Sequence, residues 1–311
     1  EEAVVKGLAG DKGLYMPEHI RPLDKDTISD LKNKSFHEIA CTVARAFFGE
    51  DIEPETLDAI VRDTLSFETP VVLVRDNIYS LELFHGPTLA FKDVGGRFMA
   101  RLLGYFIKKE GLKQVNVLVA TSGDTGSAVA NGFLGVPGIH VYVLYPKGKV
   151  SPIQECQFTT LGQNITALEV DGTFDDCQAL VKSAFMDEEL NRHMKLTSAN
   201  SINVARFLPQ SFYYFNAYAQ LDKMGKADEL VVSVPSGNFG NITGWDCRSS
   251  ASWLPTTATM YSWNICVQVS THRVLPYRPS PMLWMSAIRV ISHVSWTCTG
   301  RMAIRTRKSS N

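Results

Sequence analysis

The stretch VNVLVATSGDTGSA, residues 115–128, decides the fold. Residues 115–120 form a run of strand length in which only Asn116 is polar. A run of this kind, without alternation, marks a strand covered on both faces. A loop of hydroxyl residues and glycine follows, Thr121-Ser122-Gly123-Asp124, and then a small-residue helix over 125–134. The order repeats downstream. Residues 139–144 predict a strand, 152–161 a helix, 165–170 a strand, and 174–185 a helix with Cys177, Leu180, Val181 and Ala184 inward. Residues 204–224 read as a long helix kinked at Pro209, and 230–234 as a last buried strand.

Upstream, 91–107 carries Val94, Phe98, Leu102 and Tyr105/Phe106 on one helical face. Strands are predicted at 71–74 and 78–84, joined by an Asp76-Asn77 turn. Residues 27–31, 35–48 and a segment from about Pro54 to Leu65 have helical spacing. Strand, helix, strand in succession means βαβ units, so the class is α/β with a parallel sheet and helices on both faces. Ligands of such sheets bind beyond the carboxyl ends of the strands.

Composition narrows the function. At about 150 residues per domain, 311 residues make two domains or one large one. Apolar residues are 45% and charged residues 20%, which argues against a disordered chain. A net charge of −1 gives no global basic field for nucleic acid. No run of 18 apolar residues predicts a membrane span. The six cysteines contain no CxxC pair, so neither a disulfide scaffold nor a zinc ribbon is expected, and no metal site. The chain starts at Glu1-Glu2 without Met, which reads as a fragment or processed form, and the first 20 residues have no signal-like apolar core.

The mean charge hides a seam. All 32 acidic residues lie within 1–246, with 23 basic ones, a net of −9. Residues 247–311 hold 8 basic residues and no acidic one, a net of +8. At the body's acidic frequency, a stretch this long without Asp or Glu arises roughly once in ten thousand draws. All five tryptophans, from Trp245 to Trp296, lie at or beyond the seam. Two readings stand: a basic C-terminal domain, or a tail from another reading frame or splice event. The tail lacks clear helical or strand periodicity. The division expected is a mainly helical region at 1–75, an α/β core at 76–244, and a divergent basic tail, rich in Trp, Ser and Thr, at 245–311.

Three loops fall at predicted strand ends. HGPTLAFKD (85–93) sets Lys92 among Leu89, Ala90 and Phe91. Desolvation lowers a lysine's pKa and suits a Schiff-base nucleophile; the alternative is a helix-start lysine in water. TSGDTGS (121–127) offers free N–H groups and hydroxyls to an anion; the alternative is capping by Asp124 or Thr125. An aspartic-protease reading of its Asp-Thr-Gly fails for want of a second such motif. PSGNFGN (235–241) has two glycines that let backbone amides approach a phosphate; the alternative is a tight turn. Together the loops supply a lysine, a carboxylate grip and a phosphate cradle, the parts needed for pyridoxal phosphate.

With GDKGLYMPE (10–18), FHGPTLAFKD (84–93), TSGDTGSA (121–128), NSINVARFLPQ (200–210) and PSGNFGN (235–241), the chain resembles the threonine synthase family and its animal relatives among fold-type II pyridoxal-phosphate enzymes. The resemblance covers residues 1 to about 244. It implies a fold-type II parallel-sheet architecture, incomplete at its C-terminus and followed by a non-family tail. It implies pyridoxal 5'-phosphate on Lys92, with its phosphate on Gly237, Asn238, Phe239, Gly240 and Asn241. Ser122, Gly123, Asp124 and Thr125 would grip the substrate α-carboxylate. Arg206 would clamp a substrate phosphate, guanidinium matching phosphate bidentately; the alternative is a helix-surface arginine. The implied substrate is a small phosphorylated amino acid. Bacterial and fungal members make threonine from O-phosphohomoserine. Animal relatives resemble phospho-lyases that release 2-oxobutyrate and phosphate from O-phosphohomoserine or O-phosphothreonine in the cytoplasm.

The departure beyond residue 244 predicts lost strands, exposed edges, an open pocket wall and impaired catalysis. The resemblance also reaches a C-terminally truncated animal form. That implies an alternative: a non-catalytic, secreted, cytokine-like factor in osteoclast formation, with a cell-surface receptor as partner. Sequons at Asn33, Asn164 and Asn241 allow glycans. A third reading is an unstable splice product.

Overall fold

The computed structural model describes residues 1–7, 15–17, 22–200, 203–227, 230–234, 240–241, 259–261, 266–268 and 301–306. Helices α1 (Glu2–Lys6), α2 (Lys25–Asp30), α3 (Phe36–Phe48) and α4 (Pro54–Thr64) come first. Ser35 and Glu38 form a capping box at the start of α3, and Pro54 opens α4 at a position where no N–H is needed. A hairpin follows: β1 (Val71–Arg75) antiparallel to β2 (Ile78–Glu82), turning through Asp76 at φ +47°.

The βαβ order then unfolds as the sequence predicts: α5 (Lys92–Lys109), β3 (Val115–Ala120), α6 (Asp124–Phe133), β4 (Ile139–Pro146), α7 (Pro152–Thr159), β5 (Ile165–Val170) and α8 (Phe174–Met186). A short α9 (Glu188–His193) leads to β6 (Leu196–Ser198). All four strands β5-β4-β3-β6 run parallel in that order. Every residue of β3 is buried. Val117 and Val119 join the main core with Val129 and Phe133 of α6, while Leu118 and Ala120 pack with Cys177 and Val181 of α8. The strand's period of two sends alternate side chains to opposite helical layers.

Leu180 is a correction. It was expected inward on α8 but is 50% exposed. Cys177 and Val181, four residues apart, already define the inward stripe, and Leu180 stands 100° away from Val181 around the helix.

The predicted helix over 204–224 is three pieces: α10 (Val204–Phe207), a 3₁₀ turn (Leu208–Gln210) and α11 (Ser211–Lys223). Pro209 sits in the 3₁₀ turn, where its missing N–H interrupts the α ladder.

The second sheet runs β1-β2-β10-β7-β8-β9, with β7 (Leu230–Ser233), β8 (Thr259–Tyr261), β9 (Cys266–Gln268) and β10 (Arg301–Thr306). The tail, whose sequence shows no clear periodicity, supplies three of these strands. β10 is antiparallel to both β2 and β7 and lies between them. Its partners are fixed by backbone bonding to the body, which a search for periodicity within the tail does not detect. The edges that β2 and β7 turn toward each other are covered by β10. β2 and β7 are therefore parallel to each other, and the loops after them leave the same edge of the sheet.

Candidate active site

Lys92 opens α5, with Phe91 as the residue before it. It is half-buried, and its Nζ donates to Thr125 Oγ1 at 3.0 Å. The lysine of the first loop and a hydroxyl of the second thus meet, although they belong to different sheets. Burial pushes the Lys92 amine below the usual lysine range, Arg206 reinforcing the effect and Asp124 opposing it. A helix-start lysine extended into water does not match this geometry.

The first loop is wound around Asp93, which is fully buried. Thr88 donates to it twice, from its backbone N at 3.0 Å and from Oγ1 at 2.5 Å. A Cβ on Gly86 would lie 2.4 Å from Asp93 Oδ2, so the loop closes on the carboxylate only with glycine there. Leu89 takes φ +58°, and the turn brings the chain back to begin α5 at Lys92.

The second loop distributes its polar groups. Gly123, not Asp124 or Thr125, stands at the cap position of α6, and having no side chain it caps no amide itself. Thr121 Oγ1 accepts from Gly123 N at 3.0 Å and Gly126 N at 2.8 Å. Asp124 accepts instead from Gln154 Nε2 of α7. Thr125 is left to accept from Lys92. Ser122 is exposed. Gly123 holds φ +145°, and a Cβ there would run into the Gln154 side chain.

Of the third loop, Gly237, Asn238 and Phe239 lie outside the described residues, as do Pro235 and Ser236. Gly240 and Asn241 are described and begin a helical turn. Tyr213 and Tyr214, neighbours on α11, reach both neighbourhoods. Tyr213 donates its hydroxyl to the Phe91 carbonyl, beside Lys92, and Tyr214 donates to the Asn241 carbonyl at 2.8 Å.

Arg206 is not on a helix surface; it is 1% exposed. Its Nη1 donates to the Ala199 carbonyl, and its Nε has no hydrogen-bond partner among the described residues. Asn203 of the same motif caps α10 and donates Nδ2 to the Val4 carbonyl at 3.0 Å, tying α1 to the core.

Thr121, Gln154 and Tyr213 were not singled out from sequence. Thr121 carried a signal, as a hydroxyl two residues before a glycine at a helix start. Gln154 and Tyr213 are ordinary helix residues whose partners lie 30 and 122 positions away. Among the described residues no cluster of His, Cys, Asp or Glu could hold a metal ion, and no helix is long and apolar enough to cross a membrane.

Fold and geometry together define a class: an α/β protein with a desolvated lysine at a helix start, set among loops at strand ends. The chain belongs to the pyridoxal-phosphate-dependent enzymes, whose family description matches residues 68–246. Residues 1–65 match the threonine synthase N terminus. The threonine synthase of Haemophilus influenzae is 51% identical over 242 residues, covering 78% of this chain and 56% of the relative. That of Escherichia coli is 49% identical over the same length and the same shares. The crystal structure of pyridoxal-phosphate-bound threonine synthase from Brucella melitensis superposes with a TM-score of 0.77 at 37% identity, over 84% of this chain and 56% of that one. The chain spans little more than half the length of these relatives.

Proposed function

We propose that this chain carries the lysine-bearing part of a pyridoxal-phosphate-dependent phospho-lyase, acting on O-phosphohomoserine or O-phosphothreonine. The observation that supports it most directly is the Lys92 amine, withdrawn from water and hydrogen-bonded to Thr125 Oγ1 at 3.0 Å. An amine with lowered pKa is what a covalent carbonyl partner requires. Of the residues that would hold the cofactor, Lys92, Gly240 and Asn241 are described. Lys92, with its half-buried amine, fits a carbonyl partner and would hold it through Nζ. By the family resemblance the backbone of Gly237, Asn238, Phe239, Gly240 and Asn241 would receive its phosphate. Bound there, the cofactor supplies an electron sink.

The chain's own residues do the rest. Ser122, Asp124 and Thr125 would present amides and hydroxyls to the substrate α-carboxylate at the start of α6, while the Gly123 N–H is already given to Thr121 Oγ1 and Gly123 serves by shaping the turn. Lys92 Nζ takes the proton from the substrate α-carbon, which is enough to expel the β-phosphate of O-phosphothreonine. For O-phosphohomoserine, whose phosphate is on the γ-carbon, a β-proton must leave as well and a proton return to the γ-carbon. Addition of one water and release of ammonia then leave 2-oxobutyrate beside the freed phosphate. The exposed carboxylate of Asp124 accepts from Gln154 Nε2.

Titrating the full chain with pyridoxal phosphate tests the first half: a visible absorbance band is expected, and it is lost in Lys92→Ala. Phosphate release from each substrate tests the second. A chain that takes up the cofactor at Lys92 yet frees phosphate from neither compound would exclude the lyase assignment.

A further inference from the structure

Every residue of α11 from Ser211 to Ala219 is buried, so the helix is gripped on all faces. Its polar side chains tie it to the body. Asn216 Nδ2 donates to Thr69 Oγ1 at 2.9 Å, and Gln220 donates to the Thr69 carbonyl at 3.0 Å while accepting from Val71 N at 2.9 Å. Phe212 meets Phe98 of α5 edge to face, with ring centroids 5.8 Å apart. α11 is thus a fixed frame beside α5 and β1.

Tyr213 and Tyr214 extend that frame to two loops. Consecutive helix residues diverge by about 100°, so the two rings leave α11 toward different neighbours. Both are buried, and a buried tyrosine hydroxyl needs a hydrogen-bond partner. Each finds a backbone carbonyl distant in sequence: Tyr213 donates to Phe91, and Tyr214 donates to Asn241 at 2.8 Å. The Phe91 carbonyl is part of the planar peptide that joins Phe91 to Lys92, so holding it holds the backbone from which the lysine side chain departs. The Phe91 ring lies 5.8 Å from Lys92 Nζ, and Nζ donates to Thr125 Oγ1 at 3.0 Å. A line of contacts therefore runs from the Tyr213 hydroxyl through Phe91 to the amine. Burial keeps that hydroxyl protonated, the charge of Asp93 acting the same way and the Val94 N–H opposing, so it remains a donor.

We propose that Tyr213 and Tyr214 are paired positioning residues, Tyr213 orienting the lysine and Tyr214 the phosphate loop, so that one helix sets the two halves of the cofactor site in register. The proposal deepens the cofactor reading above and rests on it. Each tyrosine acts through a loop carbonyl. Replacing either by phenylalanine keeps the ring and removes one hydrogen bond from that carbonyl.

Two aldehydes tell the roles apart: pyridoxal phosphate, and pyridoxal, which lacks the phosphate. The full chain, free of cofactor, is titrated with each, and the adduct on residue 92 is trapped with borohydride and quantified by peptide mass. Tyr213→Phe is expected to weaken capture of both aldehydes by a similar factor, about tenfold. Tyr214→Phe is expected to weaken capture of pyridoxal phosphate by about tenfold and to leave capture of pyridoxal unchanged. Urea unfolding identifies the folded variants, and each prediction is read on its own variant. Equal losses of the two aldehydes in Tyr214→Phe, or a loss of fold in both variants, would mean that the hydroxyls serve stability alone and would overturn the proposal. Capture unchanged in a folded Tyr213→Phe variant overturns it as well. A wild-type chain that captures neither aldehyde at residue 92 overturns the cofactor reading, and this proposal with it.

Discussion

Thr121 does the work that sequence reasoning gives to Asp124 and Thr125. Its hydroxyl accepts from two backbone amides and donates to the Gly123 carbonyl at 3.0 Å, all within the buried turn. Thr121→Val keeps the shape and strands those groups, so it is expected to destabilise the fold by about 1–3 kcal/mol. Urea unfolding measures this, and Thr121→Ser, which retains the oxygen, should recover most of it. Asp93 makes a second prediction at this scale. Burial raises its pKa above 3.8, against the two Thr88 bonds that lower it. The folded state therefore binds the Asp93 proton more tightly than the unfolded chain does. The stability linked to this group is full below pH 3.8 and is lost as pH rises through the raised value. Asp93→Asn, which does not titrate, should flatten that part of the stability profile, and urea midpoints taken between pH 4 and 7 would show the difference. The sequon at Asn164 is also decided residue by residue. Its Nδ2 donates to the Phe133 and Ile139 carbonyls, and its Oδ1 accepts from Gly135 N. A glycan on Nδ2 would take one of its two N–H donors and so break at least one of these bonds in a half-buried site, so the folded protein does not favour modification there.

Between elements, α5 and α6 meet through glycine. A Cβ on Gly96 would lie 2.6 Å from the Ala128 carbonyl oxygen, and one on Gly132 would lie 2.8 Å from the Gly96 carbonyl carbon. The obstructing atoms are backbone, so neither helix can yield without moving. Gly96→Ala and Gly132→Ala should each cost about 1–3 kcal/mol or more of stability, despite alanine's better helix propensity. The two should be less than additive, because the first substitution already separates the helices. Since α5 carries Lys92 and α6 carries Thr125, either variant should also lengthen the 3.0 Å contact and weaken the cofactor band. The βαβ order, the strands at 115–120 and 165–170, and the lysine and hydroxyl loops were legible because each rests on local signals: apolar runs, glycines, helix starts. What was not legible depended on partners far along the chain. β6 has only three residues and borrows its bonding from β3. α9 follows α8 almost without a break, and only Asp187, capping Leu190 N, marks its start. The role of Gln154 exists only because α7 lands on Gly123. Arg206 could be seen as a site candidate, but its burial could not, since its α10 turn is too short to show an amphipathic period.

At the scale of the whole chain, a body of net −9 is followed by a tail of net +8, and β10 of that tail lies between β2 and β7 of the body. Those two strands precede the loops that hold Lys92 and Asn241. The separation of β2 and β7 is therefore set by a strand from beyond the family match, which ends at residue 246. Ile304 faces Tyr79 on one side and Val232 on the other. Proline at 304 removes its N–H and is tolerated poorly in a strand paired on both sides. Ile304→Pro is therefore expected to free the β2 and β7 edges, to quicken trypsin cleavage at the tail's Lys and Arg residues, and to promote association through the exposed strands. It should also weaken cofactor binding without touching the site, because the loops after β2 and β7 lose their common support. Opposite charges on body and tail add a salt-dependent term: cleavage of the wild-type tail should accelerate between low and high ionic strength as their attraction is screened. Timed proteolysis with size-exclusion chromatography reads both effects. Cleavage that is equally fast in wild type and variant, at every salt concentration, would mean that β10 does not hold the sheet together.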